Sequence, residues 1–141
     1  MKSPQPGTLA WYKAELDRVF SVFIRIRDDG TCFTCNNEKH WRYQQNGHYV
    51  SRSYLSTRFD EENCHCQCSG CNIFKKGNMD EYAVRLTRLY GNGILEKLDK
   101  KKHKIVKFDI LWYKKMIRKY EKKIWKMYPE FTDTRFPLKF T

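Results

Sequence analysis

Apolar residues recur near the start of the chain at Tyr12, Leu16, Val19, Phe23 and Ile26, at alternating intervals of four and three. That interval keeps them on one helical face, whereas a strand would alternate every second residue. Thr8 offers an N-cap and Asp28-Asp29-Gly30 a turn, which predicts a helix over about 8–27 behind a loose arm at Pro4, Pro6 and Gly7. Ile110, Tyr113, Ile117, Tyr120, Ile124 and Met127 repeat in the same way, predicting a helix from about Asp109 to Tyr128 that stops before Pro129. This second stripe can pack on the first helix or against another chain, and the pattern does not choose.

Residues 31–68 carry no sustained helical period. Trp41 to Tyr49 and Asn63 to Gln67 have the length of strands, and a short helix is expected after Cys71 with a break at Gly77. Met79 to Tyr90 reads as a helix with Asn78 as its cap and Gly91 as its stop, followed by a short helix from Gly93 to about Lys100.

Length and composition limit what such elements can build. A chain of 141 residues fits one domain, 1–141, and its core is small enough that a metal staple is expected. No run approaches the ~20 apolar residues of a membrane span, and the first residues lack a signal-peptide core. The expected location is a reducing cytoplasm, where six cysteines suggest metal binding before disulfides. The formal charge of +12 is uneven: residues 1–96 hold 13 basic and 11 acidic side chains, and residues 97–141 hold 15 and 5. A basic tail on a nearly neutral head points to a polyanionic partner.

Two close cysteine pairs, Cys32-x2-Cys35 and Cys68-x2-Cys71, are separated by 32 residues. Four thiolates so arranged suit tetrahedral Zn²⁺. Cys64, Cys66 and His40 remain alternative ligands. Between the pairs lie Gly47-His48-Tyr49 and Asn63, and Asn72 follows Cys71 directly. A neutral His48 can take a proton from water near neutral pH, and the Asn72 side-chain oxygen suits a hard cation.

This order of residues resembles the treble-clef form of the HNH, or ββα-metal, nucleases, with Asn63 five residues before Cys68 and Asn72 nine after Asn63. The chain is more closely similar to the lambda-phage NinG/Rap recombination endonucleases over roughly residues 11–123. The matching pieces include Phe23-Ile24-Arg25, Arg27-Asp28, Cys32-x2-Cys35, Gly47-His48-Tyr49 and Arg58-Phe59. They continue through Asn63, His65, Gln67-Cys68-x2-Cys71-Asn72, Lys75, Gly77-Asn78, Tyr82, Leu86 and Gly91.

The resemblance implies an α+β fold with a zinc-stapled ββα-metal core at about 31–78. The helical segment at about 8–27 would flank it on one side and a basic helical extension at about 79–141 on the other. It implies a metal-dependent, structure-selective endonuclease that cuts branched recombination intermediates such as Holliday junctions and displacement loops, in the host cytoplasm if a phage encodes it. By position, His48 is the expected general base, Asn72 a ligand of catalytic Mg²⁺ or Mn²⁺, Asn63 the residue orienting the His48 loop, and His65 a further metal contact. Cys32, Cys35, Cys68 and Cys71 would hold the structural zinc. Gly47 stands where the wider nuclease group places a metal-binding Asp, so His65, Asp60 or substrate phosphate must complete the shell. Arg52, Arg58, Lys75, Lys76, Lys115, Arg118, Lys119 and Lys122 are expected phosphate contacts. Symmetric cuts across a junction favour a homodimer. The alternative is a non-catalytic zinc module that binds nucleic acid through its basic tail.

Overall fold

The structure, a computed structural model, describes residues 2–131. The first helix, α1, spans Leu9–Arg27, and the Thr8 hydroxyl caps it by accepting from the Trp11 backbone N–H at 3.2 Å. Leu16, Val19, Phe20, Val22, Phe23 and Ile24 are buried along it. Their partner is the last helix, α5, spanning Ile110–Met127, which Asp109 caps through the Trp112 N–H at 2.8 Å. The Tyr120 ring lies 4.9 Å from the rings of both Phe20 and Phe23, while Phe59 closes the gap between Phe20 and Tyr113. Each buried aromatic pair of this kind adds about 0.5–1.5 kcal/mol beyond the area it removes from water. The α5 stripe that the sequence left open therefore packs within its own chain, and only its end at Met127 stays exposed.

An antiparallel hairpin lies against α1. Its strands are β1, Gln45–His48, and β2, Cys64–Gln67, paired so that Gly47 faces His65 and His48 faces Cys64. Directly paired residues share a face and neighbours alternate, which puts His48 and His65 on opposite faces. Arg27 ties α1 to β2 by donating to the carbonyls of Glu61 and Cys64, each at 2.9 Å. The strand expected from Trp41 starts only at Gln45. Trp41–Tyr43 form a 3-10 turn instead, and the Trp41 ring packs near Phe131 at 5.7 Å. The loop from β1 to β2 contains a four-residue helix, α2, Leu55–Arg58, too short to show a period in sequence.

After β2 the chain makes a wide helical turn, Gly70–Phe74, in which the Lys75 N–H reaches back to the Gly70 carbonyl at 2.9 Å. Next come α3, Met79–Tyr90, and α4, Ile94–Lys102. Tyr82, Leu86, Ile94 and Leu98 form a second apolar cluster under Phe33 and Tyr49. Asn78 holds the N-cap position of α3 as expected, and its carbonyl accepts from the Tyr82 N–H at 2.9 Å, but its side chain makes no capping bond. The residue is left-handed at φ 50°, and its amide donates to the Cys71 sulfur at 3.7 Å. The architecture is mixed α+β. No helix among the described residues is long and apolar enough to cross a membrane. The end of the expected basic extension, 132–141, lies outside the described residues.

Candidate active site and metal centre

The first cysteine pair sits on a tight loop in which the Cys32 N–H donates to the Asn37 carbonyl and the Asn36 N–H to the Cys32 carbonyl. The second pair opens the wide turn, with the Cys71 N–H directed at the Cys68 sulfur at 3.4 Å. The Sγ atoms of Cys32, Cys35, Cys68 and Cys71 all lie within 4.8 Å of one another, with Cys35 and Cys68 at 3.7 Å. A tetrahedral zinc with bonds of about 2.3 Å spaces its sulfurs about 3.8 Å apart, so the four could bind a structural zinc.

The thiol chemistry agrees with that fit. Burial opposes ionisation of Cys32, but N–H groups of Cys68, Thr34 and Cys35 and the Thr34 hydroxyl outweigh it and lower its pKa to about 6. Desolvation and the neighbouring thiols push Cys35 up to about 12, a repulsion that a dication among them reverses. Cys64 and Cys66 are fully buried in β2, and burial drives Cys66 to about 12 and Cys64 well above its usual value. Both are neutral thiols in the packing. His40 is exposed, and its Nδ1 accepts from the Arg42 N–H.

A cleft of about 510 Å³ opens between α1, β1 and the wide turn, and it gathers His48, Asn72, Arg52, Arg58 and Lys76. His48 Nε2 lies 2.9 Å from the Arg58 carbonyl. A carbonyl only accepts, so Nε2 carries the proton and Nδ1 keeps the basic lone pair. Burial lowers the His48 pKa, with Arg52 and Arg58 adding to the effect and the Arg58 carbonyl and Asp17 opposing it. The ring is thus neutral near pH 7.

Asn63 lies outside the cleft but fixes the loop behind His48. Its amide donates to the carbonyls of Val50 and Thr57 at 3.0 and 3.1 Å, and its oxygen accepts from the Val50 N–H at 2.7 Å. Tyr82 steadies the same segment by donating to the Gly47 carbonyl at 2.7 Å.

His65 is placed elsewhere. On the far face of the hairpin, Phe33 stacks on its ring at 4.0 Å, and its two nitrogens bond Tyr82 and Tyr90 at 3.1 and 2.9 Å. Burial first, then Arg27, lowers its pKa to about 4. A neutral ring with both nitrogens engaged is a packing element here, in place of the expected metal contact. Asp60 is also committed, to Lys101 at 2.5 Å and the Glu62 N–H at 2.8 Å.

Two cleft residues had no signal in the sequence. Asp17, on α1, grips Arg58 through Nε at 2.8 Å and Nη2 at 2.5 Å, and it also reaches Arg52 at 3.1 Å. Its partners lie 35 and 41 positions away, so Asp17 reads as an ordinary helix charge. Gln45 accepts from the Asn72 amide at 2.7 Å. Arg58, expected on phosphate, is instead taken up by Asp17, whereas Arg52 and Lys76 remain exposed at the rim. Lys75 is exposed on the same turn, and Lys115, Arg118, Lys119 and Lys122 are exposed along α5.

Gly47 has a steric reason. A Cβ there would run into the side chain of Gln67, whose amide nitrogen bridges Thr34 and the Gly77 carbonyl at 3.0 and 2.9 Å. Introducing the missing carboxylate as Gly47→Asp is expected to destabilise the fold by about 1–3 kcal/mol, as overpacking does. Urea midpoints would show this, and an unchanged midpoint would mean that Gln67 yields freely.

The family model described as Bacteriophage Lambda NinG protein matches residues 7–130. The chain is similar to the Protein ninG of Salmonella phage P22, 34% identical over 98 residues, which is 67% of this chain and 47% of that protein. It is also similar to the Protein ninG of Escherichia phage lambda, 32% identical over 91 residues, covering 63% and 44% of the two chains. It thus spans less than half the length of these curated relatives. No solved structure matches. With nearly all of its described residues matched, cysteine pairs and cleft included, the chain belongs to the NinG family of bacteriophage proteins.

Proposed function

We propose that this chain is a metal-dependent, structure-selective DNA endonuclease with an HNH-type site, acting on branched recombination intermediates such as Holliday junctions and displacement loops. The observation that carries the reading is His48: its proton is fixed on the Arg58 carbonyl and its ring borders the same cleft as Asn72, Arg52 and Lys76. In this mechanism Nδ1 takes a proton from water as the water oxygen attacks phosphorus, and the phosphorus–O3′ bond breaks. Arg52 and Lys76 receive the phosphate oxygens. Asn63 keeps the His48 loop from moving, and Asp17 holds Arg58 so that its carbonyl stays under the ring.

The cleft offers a catalytic cation the amide oxygens of Asn72 and Gln45, while its carboxylate at Asp17 is already paired. Such a set fits a hard cation shared with the substrate phosphate. When bound, Mg²⁺ or Mn²⁺ would supply charge stabilisation at the phosphate and the leaving oxygen. The test is incubation of purified protein with four-way junction, displacement loop, linear duplex and single strand, with Mg²⁺, Mn²⁺ or neither. Cutting of branched DNA with an added cation supports the reading. Tight binding without cutting under every condition replaces it with the non-catalytic module.

Paired cuts need two active sites. Because α1 covers the α5 stripe, a homodimer would form over another face or on the junction itself. The exposed cations of α5 are assigned to phosphate. Changing Lys115, Lys119 and Lys122 together to Ala is expected to weaken junction binding and flatten its salt dependence, by roughly 0.9 in log–log slope for each phosphate no longer neutralised. A binding series over salt concentration measures both, and an unchanged slope would remove α5 from the interface.

A further inference from the structure

The turn that carries Asn72 also carries the largest aromatic exposure beside the cleft. Phe74 is 82% exposed and Ile73 57%, and Met79, 39% exposed, lines the cleft itself. No ring among the described residues stacks on Phe74. Adjacent exposed apolar side chains rimmed by polar groups are the kind of surface that contacts use.

The segment is rigid. The Asn72 N–H donates to the Cys68 carbonyl and the Gly77 N–H to the Cys71 carbonyl, each at 2.9 Å, which anchors both ends to the cysteine cluster. A backbone pinned in this way has little ordering left to do when the ring binds. Its surroundings are cationic: Lys75 and Lys76 follow directly, both exposed, and Lys76 shares the cleft rim with Arg52. An apolar ring flanked by cations complements a nucleobase face flanked by phosphates. In continuous duplex each base face is covered by its neighbour, whereas a branch point interrupts the stack.

We propose that Phe74, with Ile73 beside it, is a wedge that stacks on a base exposed at a DNA branch point and supplies the preference for branched over linear DNA. The inference rests on the DNA-binding half of the function proposed above and not on hydrolysis. Lys75 and Lys76 hold the phosphates on either side of the wedged base. The contact resembles in kind the apolar side chains that other DNA-bending proteins insert between base steps.

The experiment uses the full zinc-loaded chain without added Mg²⁺ or Mn²⁺, so that binding is read apart from cutting. Wild type, Phe74→Ala and Phe74→Trp are titrated against a four-way junction and a linear duplex of the same sequence. A second junction carries 2-aminopurine at the crossover. Phe74→Ala is expected to lose about 10-fold in junction affinity with duplex affinity unchanged, and to lose the 2-aminopurine response. Phe74→Trp should retain both. Equal losses on the two DNAs, no loss on either, or no junction preference in wild type would overturn the wedge. Zinc content of each variant guards against a folding defect. Phe74-dependent discrimination by a wild type that never cuts supports the wedge while overturning the nuclease reading.

Discussion

His48→Ala is expected to lower single-turnover cleavage of a four-way junction about 10²–10⁴-fold, with zinc content and junction affinity close to wild type. The ring is half-buried at the cleft and bonds the Arg58 carbonyl there, so its loss is expected to remove that contact and leave the fold in place. Affinity is expected to come mainly from lysine and arginine contacts with phosphate, which the substitution does not touch. The pH profile gives a second reading. A general base works only when unprotonated, so cleavage should rise with pH through the His48 pKa and then level off. Burial lowers that pKa from its usual 6.5, which places the rising limb below pH 6.5. Undiminished single-turnover cleavage by His48→Ala would remove this residue from the chemistry.

The second large effect concerns the cysteine cluster. One zinc per chain is expected, and Cys68→Ser should lose it, whereas Cys66→Ala should keep it because the Cys66 sulfur is not among the four that lie within 4.8 Å of one another. Zinc at such sites is worth on the order of 10 kcal/mol of folding free energy at neutral pH. Its loss should therefore release the segment between residues 31 and 78. The α1–α5 pair has its own apolar core, so much of the helical circular dichroism should survive while the middle of the chain becomes sensitive to protease. Elemental analysis with limited proteolysis measures both. Full zinc retention by Cys68→Ser would overturn the ligand set.

What the sequence displayed was local. The three-and-four spacing of α1 and α5 and the two Cys-x2-Cys pairs are fixed by residues within one or two turns of each other, and the helices form where that spacing predicts. The hairpin register was hidden because Cys64, His65, Cys66 and Gln67 are all buried, leaving no polar–apolar alternation to tell the faces apart. The metal contact expected of His65 came from the resemblance by position, which does not tell on which face of the hairpin the ring lies. Asn78 takes the N-cap position that the sequence predicts, but its side chain turns to the Cys71 sulfur seven residues back in place of the helix N–H groups. Gly47 read as a missing ligand because the Gln67 side chain that fills its space lies 20 positions away.

In the proposed mechanism, the grip of Asp17 on Arg58 gives α5 a part that its place in the chain conceals. α5 packs on α1, α1 presents Asp17, Asp17 fixes Arg58, and the Arg58 carbonyl fixes the proton of His48. If His48 acts as the proposed base, its alignment depends on a helix pair whose two halves stand far apart in the sequence. A fragment trimmed to the cysteine loops and hairpin would keep His48, Asn72, Arg52 and Lys76 but lose Asp17, Phe20 and Ser21 from the cleft wall, and with Asp17 the carboxylate that holds Arg58. In that mechanism the two outer helices are the frame from which the base takes its aim.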